Sequence, residues 1–222
     1  MSAVFKRLIV PVIISIAALI SAIQIKGSLS WGAASFVAIF LVMIVIRTVF
    51  EVRIGRAGKA SDTLEQVLLV AVFLGMGPIP FLFVATPVFG FADYNLPIAI
   101  NATAAIIGTL GLVLFYRSHV DLDRQWSVSL AIQEGHTLVD TGVYRLMRHP
   151  MYSALFLIVI AQAGLLSNWL AGFAGLATFG ALYLLRVGRE EALMASNFGE
   201  AWQAYAKRTP RLIPLSWGRR EP

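Results

Sequence analysis

The chain of 222 residues contains no cysteine and only three histidines. Without cysteine it forms no disulfide, no thiolate nucleophile and no iron–sulfur site. The histidines are His119, His136 and His149, and they show none of the His-x-x-x-His or Glu-x-x-His spacings that place two metal ligands on one helix face. The sequence therefore predicts no metal site.

Charged residues are also scarce, at 14% of the chain, while 58% of the residues are hydrophobic. A soluble domain carries about 25% charged residues, so this composition indicates a membrane protein. Several apolar runs reach the roughly 20 residues that cross a bilayer core. We expect an all-α integral membrane protein of about six hydrophobic helices, followed by an amphipathic C-terminal helix. The expected runs are 8–24, 32–50, 64–90, 96–116, 151–167 and 169–188, the last two forming a short hairpin.

The distribution of basic residues predicts the topology. If the chain starts inside and changes sides at each expected helix, Lys26 alone lies outside, and 17 of the 18 Lys and Arg residues lie inside. Such an excess marks the cytoplasmic side. We therefore expect both termini in the cytoplasm, of either a bacterial inner membrane or an endomembrane. The first run lacks a clear cleavage site and is interpreted as a retained helix. The net charge of +6 follows from this asymmetry. We expect anionic lipid to be the counterpart of these basic residues, and no nucleic-acid partner.

The chain divides into two parts by content. Residues 1–116 form N-terminal helices with almost no charge inside the membrane, and residues 117–222 hold nearly every group capable of chemistry. The second part comprises a cytoplasmic loop at 117–150, a helical hairpin at 151–188 and a cytoplasmic helix and tail at 189–222. Long ordered connections are usually functional, so we expect the loop to contribute to a site.

Polar residues crowd the start of the hairpin. Pro150 suits the first turn of a helix, which places Arg148 and His149 at its positive end, where an anion is favoured. Tyr144 and Tyr152 add aromatic surface and hydroxyl groups. Polar groups at membrane depth are usually functional. The alternatives are an interfacial aromatic belt for the tyrosines, snorkelling for Arg148 and simple packing for His149.

Arg186 and Glu190 lie four residues apart, on the same helix face as Tyr183. An Arg that precedes a Glu by four is the weaker orientation for helix support, so helix stability alone explains the pair poorly. The guanidinium is suited to bind a carboxylate or phosphate through two bonds, and Glu190 could hold it or act as a base. An internal ion pair is the alternative. Beyond this pair, four apolar residues recur on one face and predict an amphipathic helix on the membrane surface: Met194, Phe198, Trp202 and Tyr205. Such a helix either lies on the surface only or also covers the site.

Taken together, these motifs resemble the isoprenylcysteine carboxyl methyltransferase family, within a wider group that includes membrane phospholipid methyltransferases. The resemblance covers about residues 108–216. Its motifs are Trp126-Ser127, His136-x-Leu138-Val139, Gly142-x-Tyr144-x-x-x-Arg148-His149-Pro150-x-Tyr152, Arg186-x-x-x-Glu190-Glu191, Phe198-Gly199 and Thr209-Pro210-Arg211-Leu212-Ile213-Pro214.

The resemblance implies an S-adenosylmethionine-dependent methyltransferase that binds its cofactor without a Rossmann domain, and indeed no G-x-G-x-x-G motif follows a strand. It implies that Arg186 and Glu190 lie beside the methyl acceptor, a lipophilic or lipidated molecule that enters from the bilayer. The residues expected to bind the cofactor are His136, Leu138, Val139, Tyr144, Arg148, His149, Tyr152 and Glu191.

The chain departs from the family pattern at Asp123 and Val143, where glycine and proline are common, and at Ser153-Ala154, which replaces a frequent glycine. An isoprenylcysteine carboxylate is the favoured acceptor. A phospholipid amine comes next, and a small thiol or phenol third. An NADPH-dependent enzyme similar to the sterol reductases and a non-enzymatic scaffold or transporter are the remaining alternatives.

Overall fold

The computed structural model describes residues 3–54, 62–123 and 137–214, and these residues form an all-α protein. Within these ranges, five segments are long and apolar enough to cross a membrane, and the chain is an integral membrane protein, as the composition predicts. The helices are α1 (Ala3–Lys26), α2 (Trp31–Ile54), α3 (Thr63–Met76), α4 (Pro78–Ala85), α5 (Ile98–Leu122), α6 (Pro150–Leu166) and α7 (Trp169–Arg208).

The third expected run, 64–90, is two helices and not one. Helix α3 ends at Met76, and α4 begins at Pro78, which occupies a first-turn position where its missing N–H costs nothing. The side-chain amide of Gln162 on α6 donates to the carbonyl of Gly75, 3.0 Å away. This contact satisfies a backbone acceptor beside the break, inside the membrane region where water is absent.

Helices α5 and α6 pack closely because small residues line their contact. A Cβ on Gly111 would lie 2.9 Å from the side chain of Ile158 and 3.0 Å from the carbonyl oxygen of Ala154. A Cβ on Gly164 would lie 2.7 Å from Ala104. Lipid-embedded helices associate through such close approach, since lipid provides no hydrophobic drive between them. Helix α5 ends at Leu122, later than the expected 116, so the connection to α6 is shorter than predicted.

The hairpin of α6 and α7 turns where the sequence predicts. Ser167 has a φ of +49°, and Asn168 caps α7 by accepting from the amides of Leu170 and Ala171. Helix α7 then runs for 40 residues, with an interruption at Gly199, where φ is +51°. The hairpin turn therefore lies at one end of the bundle, and the start of α6 lies at the other.

Candidate functional site

The start of α6 is fastened to the segment that follows α7. Pro150 is the first residue of the helix, as predicted, and His149 precedes it. The backbone N–H of Arg148 donates to the carbonyl of Pro210 at 2.8 Å, and that of His149 donates to the carbonyl of Arg211 at 2.9 Å. The hydroxyl of Ser153 donates to the carbonyl of Leu212 at 2.6 Å. Residues 209–212, the closing segment, thus lie against the first turn of α6.

Glu191 on α7 is the centre of a charged cluster. Its Oε1 accepts from Arg148 at 2.9 and 3.1 Å, and lies 3.2 Å from Nε2 of His149. Its Oε2 accepts from Nη2 of Arg211 at 2.6 Å. The hydrogen bond to Glu191 raises the pKa of the Arg211 guanidinium above its ordinary value. We call these four residues the Glu191 cluster.

Arg148 holds this end of the protein together. Its Nε and Nη2 donate to Glu191, while its Nη1 donates to the carbonyls of Ala206, at 2.8 Å, and Thr209. The guanidinium also lies over the Trp202 ring, 6.0 Å from its centre. Because all three nitrogens are engaged and the side chain is nearly buried, Arg148 fixes the position of Glu191. The Arg148 side chain is therefore not a snorkelling one that extends to the lipid headgroups.

Tyr144 lies behind the cluster and faces α5. Its hydroxyl lies 3.4 Å from the carbonyl of Ser118, and its own carbonyl accepts from Tyr205 at 2.6 Å. Burial raises the pKa of the Tyr144 phenol well above its ordinary value, so the hydroxyl stays protonated at neutral pH. Tyr144 therefore connects the 3-10 turn at Gly142–Arg145 to α5 and to α7.

The other cofactor candidates, from the loop between α5 and α6, are only partly described. Leu138 and Val139 are half-buried and belong to the extended stretch that leads to the 3-10 turn at Gly142–Arg145. His136 and the Trp126-Ser127 motif lie outside the described residues.

Tyr152 connects the cluster to the predicted catalytic pair. Its hydroxyl donates to Glu190 at 2.8 Å, and its ring centre lies 5.5 Å from that of His149. Behind it, aromatic rings from α6 and α7 form one tilted and three edge-on pairs, with centres 4.9–5.9 Å apart. We call them the aromatic wall: Tyr152, Phe156, Phe179 and Tyr183.

Arg186 contacts a carboxylate that the sequence analysis missed. Its Nη1 lies 3.2 Å from Oε1 of Glu65 on α3, and the Glu65 side chain is only 2% exposed. One turn away, Arg189 pairs with Asp62 at 2.9 Å. The N-terminal helices, described from the sequence as almost uncharged, therefore supply a buried charge to the site. The signal was present, because an ionisable residue in an apolar run is by default a candidate functional residue.

The fold and this site define a class: an all-α integral membrane protein with a cluster of ionic side chains at the open end of a helical hairpin. Residues 104–196 match the model of the isoprenylcysteine carboxyl methyltransferase (ICMT) family. The resemblance to this family that the motifs predict is thereby confirmed. Glu65 and the closing segment lie outside the matched residues.

Individual relatives are similar to part of the chain. A protein-S-isoprenylcysteine O-methyltransferase of Schizosaccharomyces pombe is 29% identical over 125 residues, which are 54% of this chain and 52% of the relative. The Homo sapiens protein of that name is 35% identical over 83 residues, 37% of this chain and 29% of the relative. A nickel-cobalt-cadmium resistance protein, NccN, of Alcaligenes xylosoxydans xylosoxydans is 29% identical over 117 residues, 52% of each chain. The matched part thus spans about half the length of these relatives or less.

Proposed function

We propose that this protein is an S-adenosylmethionine-dependent methyltransferase of the membrane, acting on a lipophilic acceptor, with an isoprenylcysteine carboxylate as the favoured acceptor. The observation that carries the proposal is the adjacency of two groups of polar residues. The Glu191 cluster touches Tyr152, and Tyr152 touches Glu190, the neighbour of Glu191 on α7. The family match and the methyltransferase names of the relatives support this assignment.

The donor set of the cluster suits the cofactor. S-adenosylmethionine carries an ammonium group, a carboxylate and ribose hydroxyls, so it needs both an anionic and a cationic or hydrogen-bonding partner. Glu191, His149 and Arg211 offer these together. Bound there, the cofactor supplies a methyl group already activated by a sulfonium. The proposed cofactor residues are His136, Leu138, Val139, Tyr144, Arg148, His149, Tyr152 and Glu191, with Arg148 and Tyr144 acting as supports.

Arg186 and Glu190 are the proposed residues beside the acceptor. A carboxylate acceptor is ionised at neutral pH, so the protein needs to orient it and exclude water, and no base is required. Arg186 can orient it, while the Tyr152 hydroxyl holds Glu190 in place. The aromatic wall offers an apolar surface for a lipid chain next to these charges. Both termini and the site are proposed to face the cytoplasm, from the distribution of basic residues.

An amine acceptor is the second candidate, and one observation favours it. The charge of Arg186 is already balanced by Glu65, and Glu190 adds a second carboxylate close by. An ammonium acceptor would be attracted to this surplus of negative charge, and Glu190 could take its proton.

Calorimetric binding of S-adenosylhomocysteine to the detergent-purified protein tests the proposal. We expect micromolar affinity in the wild type and loss of binding in His149→Ala, because the imidazole lies within the Glu191 cluster. Arg208→Gln is the matched control, since Arg208 pairs with Asp140 at the same end of the bundle but outside the cluster. Binding of NADPH alone would assign the protein to the reductases instead. Binding of neither would contradict an enzymatic role for the cluster.

A further inference from the structure

Glu65 occupies an unusual environment for a carboxylate. It is 2% exposed, and within the described part of the chain neither of its oxygens accepts a hydrogen bond. Buried carboxylates normally accept several hydrogen bonds, because leaving them unmade is costly. The guanidinium of Arg186 lies 3.2 Å away. A buried charge with unused acceptor capacity beside a proposed substrate residue calls for a functional explanation.

Helix capping does not provide that explanation. The spacing Asp62-x-x-Glu65 at the start of α3 is that of a capping box, in which the glutamate accepts from the backbone N–H of the cap residue. The Asp62 side chain caps the helix, since it accepts from the amide of Leu64 at 3.1 Å. Glu65 does not complete the capping box, because its oxygens accept no hydrogen bond within the described residues. Its side chain is directed to Arg186 on α7 instead.

A role in joining α3 to α7 does not explain the buried position of Glu65 either. The same two helices are already joined by Asp62 and Arg189 at 2.9 Å, with side chains 41% and 45% exposed. An exposed pair of this kind can be formed without removing a charge from water. A second pair with one partner fully buried carries a large desolvation penalty and is weak evidence for a stabilising role.

Glu65 and Glu190 lie beside the same part of α7: Glu65 pairs with Arg186 at 3.2 Å, and Glu190, four residues after Arg186 on the same helix face, accepts from the Tyr152 hydroxyl at 2.8 Å. We propose that Glu65 is a positioning residue of the acceptor site: it holds Arg186 and offsets its charge, so that Arg186 orients an acceptor carboxylate without suppressing its nucleophilicity. This inference rests on the proposed methyltransferase function and assigns to that site a residue from outside the family region.

The charge balance of the reaction explains why such an offset helps. An oxygen lone pair of the acceptor forms the new bond to the methyl carbon while the methyl–sulfur bond breaks and leaves its electron pair on sulfur. A carboxylate and a sulfonium thus become a neutral ester and a neutral thioether, and no proton moves. A full positive charge beside the carboxylate would stabilise the ground state more than the transition state, which lowers kcat. Glu65 reduces that difference.

Glu65→Gln gives the decisive measurement, with N-acetyl-S-farnesylcysteine as acceptor. We expect KM to fall by about three- to tenfold and kcat to fall by about tenfold, because ground-state binding improves while transition-state stabilisation does not. The dissociation constant of the same acceptor, measured without any methyl donor, is expected to fall in parallel with KM. Glu65→Asp keeps the charge but places it farther from Arg186, because the side chain is shorter. It should therefore lower KM, kcat and the dissociation constant of the acceptor by smaller factors. It also serves if Glu65→Gln does not fold.

Asp62→Asn is the matched control, since it weakens the neighbouring ion pair between α3 and α7 and keeps a capping residue. It should leave KM, kcat and acceptor binding unchanged. Unchanged KM and acceptor affinity in both Glu65 variants would overturn the inference, as would weaker acceptor binding, which indicates a cationic acceptor. Failure of the proposed function is recognised separately, because the wild type would then neither bind S-adenosylhomocysteine nor transfer a methyl group.

Discussion

At the scale of single residues, Gly142 shows how the end of the loop between α5 and α6 is attached to α5. Its φ is +58°, and a Cβ there would lie 2.1 Å from Oδ2 of Asp121. The next amide, of Val143, donates to the same oxygen at 2.8 Å. Proline, common in the family at that position, could not make this bond. The departure at Val143 is therefore matched by Asp121, which holds the loop against α5.

Gly142→Ala tests this attachment. The new Cβ meets the Asp121 carboxylate in a backbone conformation that L-residues rarely adopt, so the free energy of unfolding should fall by about 1–3 kcal/mol. Thermal unfolding in detergent measures the change. Gly180→Ala is the control, because no atom lies within 4 Å of a Cβ at that helical position. Equal melting temperatures for the two variants would contradict the assignment.

The sequence identifies the residues on only one side of the candidate site. Arg148, His149 and Glu191 were expected near one another, and the structure brings them together. Tyr152 and Glu190 are likewise in contact. Glu65 could not be paired with Arg186 beforehand, because more than one hundred residues separate them and only the packing of α3 against α7 joins them. Their catalytic and binding roles stay predictions.

At the scale of elements, periodicity and length identify the helices, while breaks inside apolar runs depend on local chemistry. The run 64–90 contains Gly77 followed by Pro78, a pair that commonly interrupts a helix, and α3 and α4 separate there. The extension of α5 to Leu122 was not predicted, since the charged residues after 116 suggest a loop. Ser118 and His119 are nevertheless buried there by tertiary packing.

Asn168 controls the turn between α6 and α7. It is fully buried, caps α7, and its amide donates to the carbonyl of Phe89 at 2.8 Å and to Asp93 at 2.7 Å. Asn168→Ala should lower the free energy of unfolding by about 1–3 kcal/mol, through loss of the cap and of two hydrogen bonds.

Asn168→Asp separates these contributions. It keeps the capping oxygens but turns a carboxylate toward Asp93, so it should be at least as unstable as Asn168→Ala in thermal unfolding. Thr103→Ala, which removes only an exposed hydroxyl bond within α5, should change little. A stable Asn168→Asp would show that the cap alone matters.

At the scale of the whole molecule, the structure places the hairpin turn and the Glu191 cluster at opposite ends of the bundle. Lys26, the basic residue expected outside, lies at the turn end, where its ammonium group is 4.5 Å from the Phe83 ring centre. Which end faces the cytoplasm stays a prediction of the charge distribution.

The absence of cysteine makes that orientation directly measurable. In spheroplasts of a bacterial expression host, Phe91→Cys at the turn end, where Phe91 is 83% exposed, should react with a membrane-impermeant maleimide. Gln203→Cys, exposed on α7 beyond the cluster, should react only after the membrane is permeabilised. The reverse pattern would contradict a cytoplasmic site. The unsubstituted chain is the blank for both.

The closing segment has a consequence for the order in which the candidate site is assembled during synthesis. The backbone of Arg148 and His149 is held by residues 210 and 211, which the ribosome adds after the helices α1 to α7 described above. The helices can therefore be inserted and packed while the charged cluster is still open. The backbone contacts of Arg148 and His149 cannot form until the closing segment emerges and docks on α6, so that membrane integration precedes completion of the candidate site.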